Sequence, residues 1–63
     1  MTNKYKIGDI ILENTSRHGE RYFLIVEMNG THYSILNLSE EDRDIFSASF
    51  YIVDQSQNIT CAA

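Results

Sequence analysis

Hydrophobic positions along the chain come in short β-rich runs separated by polar turn formers. Residues 7–13 follow a polar start and predict a first strand. Residues 14–20 carry turn formers and no large apolar side chain, which predicts a surface loop. Residues 21–28 and 31–38 are two β-rich runs on either side of Asn29-Gly30. Asn-Gly is the preferred pair for a two-residue type I′ hairpin, because both turn residues need positive φ. That turn would set Met28 opposite Thr31, Glu27 opposite His32 and Phe23 opposite Leu36. Side chains alternate across a sheet, so Tyr22, Leu24, Val26, Tyr33 and Ile35 are expected on one face. Phe23, Ile25, Leu36 and Leu38 are expected on the other, with Glu27 and His32 paired near the tip.

Both faces of that hairpin are apolar through the middle, whereas a one-layer antiparallel ribbon keeps one face polar. The hairpin is therefore either central in a curled barrel or docked on a partner. Beyond it, Ser39 predicts a helix cap for a short helical piece over residues 40–46, with Asp42 at the third position of a capping box. Residues 47–53 predict a strand, 54–57 a turn and 58–61 a weak last strand before a frayed end. Five short strands and one helical turn suggest a single mainly β domain over residues 1–63, a small half-open barrel that limits exposed edges.

Charge changes the picture. Five Lys and Arg face nine Asp and Glu, for a net charge of −4. The excess lies in the second half, chiefly in Glu40, Glu41, Asp42 and Asp44. A negative domain repels the phosphate backbone that supplies most non-specific nucleic-acid affinity, so nucleic acid is disfavoured as a partner. The competing site would use Lys4, Lys6, Arg17 and Arg21 with exposed aromatics. An acidic run is most often a solvated turn, but it also suits a basic groove on another protein.

Catalytic and metal chemistry find little support. His18, His32 and Cys61 lack the paired spacing of zinc ligands. Ser16 and His18 are loop neighbours without an orienting third group, and Gly8, Gly19 and Gly30 are dispersed rather than gathered in a phosphate loop. No enzyme activity and no cofactor are expected. A single Cys excludes an internal disulfide framework and fits a reducing, cytoplasmic setting. Residues 1–6 lack the apolar run of a signal peptide, and no stretch approaches the roughly 18 apolar residues that span a bilayer.

The opening Ile7-Gly8-Asp9-Ile10-Ile11, followed by Gly19-Glu20-Arg21-Tyr22-Phe23-Leu24-Ile25-Val26, resembles the start of SH3-like and KOW-type small barrels. The resemblance covers roughly residues 5–38 and implies a fold rather than an activity. The chain departs from peptide-binding SH3 domains in lacking Trp, and from nucleic-acid-binding KOW modules in being acidic. In size and charge it is also similar to the small accessory proteins with which phages inhibit host enzymes. The expected function is a non-enzymatic protein-interaction module, an acidic inhibitor of a partner protein being one form. Phe23, Ile25, Leu36 and Leu38 would anchor it, beside Glu40, Glu41, Asp42 and Asp44. Self-association or a structural role in a larger assembly are the neighbouring readings.

Overall fold

The computed structural model describes residues 3–41 and 43–62. Five antiparallel strands form one sheet: β1 (Ile10–Thr15), β2 (Gly19–Asn29), β3 (His32–Asn37), β4 (Ile45–Ser49) and β5 (Ile59–Cys61), with helix α1 (Phe50–Gln55) between the last two. The sheet order is β4-β3-β2-β1-β5, so consecutive strands neighbour one another and the last returns to pair with the first. β4 and β5 are its two edges.

The chain enters through a turn over residues 6–9. The Asp9 N–H donates to the Lys6 carbonyl at 3.1 Å, and Gly8 has φ +94. Positive φ at the third position of a four-residue turn is the type II pattern, which favours glycine there. The Gly8-Asp9 pair thus makes the turn that leads into β1 rather than the strand start itself. The loop expected over residues 14–20 contracts to a tight hairpin, since Thr15 pairs with Gly19.

The central hairpin differs from the expected one in two ways. Asn29 pairs with His32, so the turn residues are Gly30 and Thr31, and only Gly30 has positive φ (+57). Positive φ at the first central residue alone is the type II′ arrangement, not type I′. This slides the strands by two residues and by itself leaves each side chain on its expected face. The second difference is a β-bulge between Ile25 and Glu27. One extra residue, Val26, shifts the register by one and exchanges the faces below it. Phe23 lies opposite Asn37, Leu24 opposite Leu36 and Ile25 opposite Ile35. Glu27 consequently sits opposite Ser34, and the expected Glu27–His32 pair is not formed.

The core lies on one face only, which we call the inner face. It comprises Tyr5, Ile11, Phe23, Ile25, Tyr33, Ile35 and Val53, with Met28, Ala48, Phe50 and Ile59 packed against it. The expected helix over residues 40–46 is absent from the described part of that segment, where residues 38–41 form a bend and β4 begins at Ile45. The capping groups are used elsewhere. The Ser39 hydroxyl accepts the Tyr22 N–H at 2.7 Å, and the Ser39 N–H donates to the side chain of buried Asn37 at 2.9 Å. The strand expected over residues 47–53 ends at Ser49 and gives way to α1. β-branched and aromatic residues are poor formers of a six-residue helix, so tertiary contacts hold it. Val53 is buried, and Asp54 bonds to Tyr33 and to the Lys4 N–H.

Candidate functional site

Alternation from the buried positions places Ile10, Leu12, Tyr22, Leu24, Leu36 and Ile45 on the outer face. The pairings Ile10–Leu24, Leu24–Leu36 and Leu36–Ile45 make one continuous apolar row across β1, β2, β3 and β4. A second row runs beside it through Leu12 and Tyr22, which are register partners, toward Leu38, whose N–H donates to the Tyr22 carbonyl at 2.8 Å. Ile10, Leu12, Leu24, Leu36 and Leu38 are half-buried, while Tyr22 is 43% and Ile45 64% exposed. The segments that cover a sheet face here, the stretch around Tyr5 and α1, are both tied to the inner face through Tyr33.

The expected anchoring set is therefore divided. Leu36 and Leu38 belong to the outer face, but Phe23 and Ile25 are 4% and 0% exposed on the inner one. That corrects the expectation that all four share one exposed face: the bulge at Val26 turns Phe23 and Ile25 into the core. Leu24, Tyr22, Ile10 and Ile45 take their place beside Leu36. The expectation for Asp42 lies outside the described residues. Glu40, Glu41 and Asp44 are exposed in the β3–β4 connection, between the ends that carry Leu38 and Ile45. Glu20 and Glu27 stand on the same outer face along β2, opposite Asn14 and Ser34. The apolar rows are thus flanked by carboxylates, with Arg43 as the neighbouring cation.

The cations proposed for nucleic acid do not converge. Arg21 donates through Nε to Glu13 Oε1 at 2.9 Å, its Nη2 reaches the same oxygen, and its guanidinium lies 5.3 Å from the Phe23 ring centre. Arg17 sits in the β1–β2 turn, at the far end of β1 from the Lys6–Asp9 turn. Six residues of strand separate those ends, which is about 20 Å at the rise of an extended chain. Exposed Lys4 places its ammonium 5.4 Å from the Tyr5 ring.

Tyr33 is the main polar centre of the inner face and was not legible as one. Its hydroxyl donates to Asp54 Oδ1 at 2.7 Å and accepts the Tyr5 N–H at 3.2 Å. Asp54 Oδ2 takes the Lys4 N–H at 3.2 Å. Burial, reinforced by the Asp54 carboxylate, pushes the Tyr33 phenol from 10.0 up to about 12. The group is therefore held protonated at neutral pH, and its hydrogen bonds fasten α1 and the N-terminal stretch to the sheet. His18 and His32 are exposed, with His18 N–H bonded to the Thr15 hydroxyl and His32 Nδ1 3.1 Å from Thr31 Oγ1. Among the described residues, no group of three His, Cys, Asp or Glu is placed to hold a metal ion, and no helix is long and apolar enough to cross a membrane. The chain matches no protein-family model, no curated protein and no solved structure.

Proposed function

We propose that the chain is a non-enzymatic protein-interaction module that docks through the outer face of its sheet. The observation that carries this reading is the apolar row Ile10–Leu24–Leu36–Ile45, which crosses four strands and ends in a largely exposed isoleucine. Apolar centres rimmed by charge are the usual anatomy of interfaces, and contiguous apolar patches on small soluble domains mark them. Glu20, Glu27, Glu40, Glu41 and Asp44, with Arg43 among them, make the rim predominantly negative, so the partner it fits is a protein surface with an apolar centre and basic borders. An inhibitor seated in a basic groove is one form of this reading. The strand order, a meander whose last strand returns to the first with a helical turn before it, supports an SH3-like small barrel left partly open.

Charge reversal tests the rim. Glu40→Lys, Glu41→Lys and Asp44→Lys together should slow association with the partner and flatten its salt dependence, as rim charges act mainly on encounter. Unchanged affinity and unchanged salt slope would reject the electrostatic part of the reading. The nucleic-acid reading has less support, because Arg21 is paired and the remaining cations lie at separate ends. A gel shift at low salt checks it, with no retardation expected at tens of micromolar protein.

A further inference from the structure

β4 is an edge strand without the features that normally protect one. Its sequence, Ile-Phe-Ser-Ala-Ser, holds no charge, no Pro and no Lys, which are the usual means of blocking edge pairing. The other edge, β5, is only three residues long.

The direction of its backbone groups follows from two hydrogen bonds. The Asn37 N–H donates to the Asp44 carbonyl at 3.2 Å, and the Phe50 N–H donates to the Thr31 carbonyl at 2.9 Å. Residues 44 and 50 therefore turn their backbone groups toward β3. In an antiparallel ladder this alternates, so Phe46 and Ala48 also face β3, while Ile45, Ser47 and Ser49 direct N–H and C=O away from the sheet. Ser49 is also the residue that precedes α1, and its carbonyl is placed for the first turn of that helix. Ile45 and Ser47 remain as the pair poised for an added strand.

We propose that two copies of this chain associate through β4, antiparallel and related by a two-fold axis at Phe46. Ile45 of each copy then exchanges both backbone hydrogen bonds with Ser47 of the other, which makes four bonds in all. Phe46 meets its own counterpart as the non-hydrogen-bonded pair, where side chains approach most closely. That ring is 47% exposed in the single chain and already stands edge-on to Phe23 at 6.5 Å between centres. Symmetric pairing would bury it in an aromatic cluster on the inner face and extend the Leu36–Ile45 row of the outer face. Charge permits this despite the net −4. The paired strands are uncharged, and the antiparallel register sets Asp44 opposite Ala48 of the other copy, keeping the two acidic connections at opposite ends. A strand pairing of this kind does not depend on the partner docking proposed for the outer face.

The experiment is sedimentation equilibrium of the full chain from micromolar to millimolar concentration. The expected result is a mass that rises with concentration from 7.3 kDa toward twice that value. Ser47→Pro removes an outward N–H and leaves the β3 ladder intact, and Ile45→Lys adds a protective charge. Each should shift dissociation at least tenfold toward the monomer, with the far-UV spectrum confirming the fold. In a Cys61→Ala background, Phe46→Cys should form an intermolecular disulfide on mild oxidation. Non-hydrogen-bonded partners lie about 4.5 Å apart between Cα atoms, inside the range a disulfide spans. A 7.3 kDa species at every concentration would overturn the proposal. So would a dimer whose dissociation constant is unmoved by both edge variants.

Discussion

The Tyr33 hydroxyl and the Asp54 carboxylate meet at 2.7 Å, joining the middle of the sheet to α1 across 21 residues of sequence. Through the same two side chains the backbone of Lys4 and of Tyr5 is fastened to the inner face. This cluster decides which face of the sheet is covered. The N-terminal stretch and the helix both close over Tyr33, and neither covers the opposite face.

The pair also predicts an alkaline limit to stability. The phenol is raised from 10.0 to about 12 in the folded chain, so between those values the native state holds a proton that the unfolded state has released. Stability should be fully present below pH 10 and fall as pH rises toward 12. Tyr33→Phe should lose that part of the decline, measured by urea unfolding at a series of pH values. Asp54→Ala should cost about 1–3 kcal/mol near neutral pH, as expected for leaving the buried Tyr33 hydroxyl short of its acceptor.

A second prediction concerns the bulge. If Val26 exchanges the faces, Ile25→Ala empties a core site and should cost about 2–5 kcal/mol. Leu36→Ala, on the outer face, should cost clearly less. Equal losses in chemical denaturation would mean that the unbulged register, with Ile25 and Leu36 on one face, is the true one.

The turn can be tested in the same way. Gly30→Ala should destabilise by roughly 1–2 kcal/mol, because φ of +57 is costly for any residue with a Cβ. Nothing lies within 4 Å of that added atom, so the loss is of backbone origin. Asn29→Ala should cost less than Gly30→Ala, since Asn29 belongs to β2 and lacks positive φ.

The Glu13–Arg21 pair stands at the edge of a hollow of about 190 Å³ formed with Phe23, Ile35 and Phe46. Both side chains retain some solvent exposure. Glu13→Gln should therefore change stability by less than about 1 kcal/mol, with salt moving wild type and variant alike.

Much of the sheet was legible because local signals agreed with it. Gly30 announced a hairpin, and the β-rich runs around it became β2 and β3. Val26 could not be foreseen as a bulge, since one extra residue alters faces without altering composition or run length. Ser39 carried a genuine cap signature, but its hydroxyl and N–H were taken by Tyr22 and Asn37, contacts that local spacing does not reveal. α1 went unseen for a related reason: Phe-Tyr-Ile-Val has strand propensity, and the groups that hold Asp54 and so the helix, the Tyr33 hydroxyl and the Lys4 N–H, lie far away in sequence. The outer face was half legible. Leu36 and Leu38 lie on it, whereas Phe23 and Ile25 belong to the buried inner side of the sheet.

The most direct measurement of the outer face as a docking surface is affinity capture from a lysate of the source organism. Wild type would be compared with Leu24→Glu/Leu36→Glu, with both proteins first shown to keep the same β-sheet spectrum. The docking reading predicts a discrete protein retained by wild type, released by moderate salt and lost from the double variant. Retention of the same protein by both, with equal strength and the same response to salt, would contradict it.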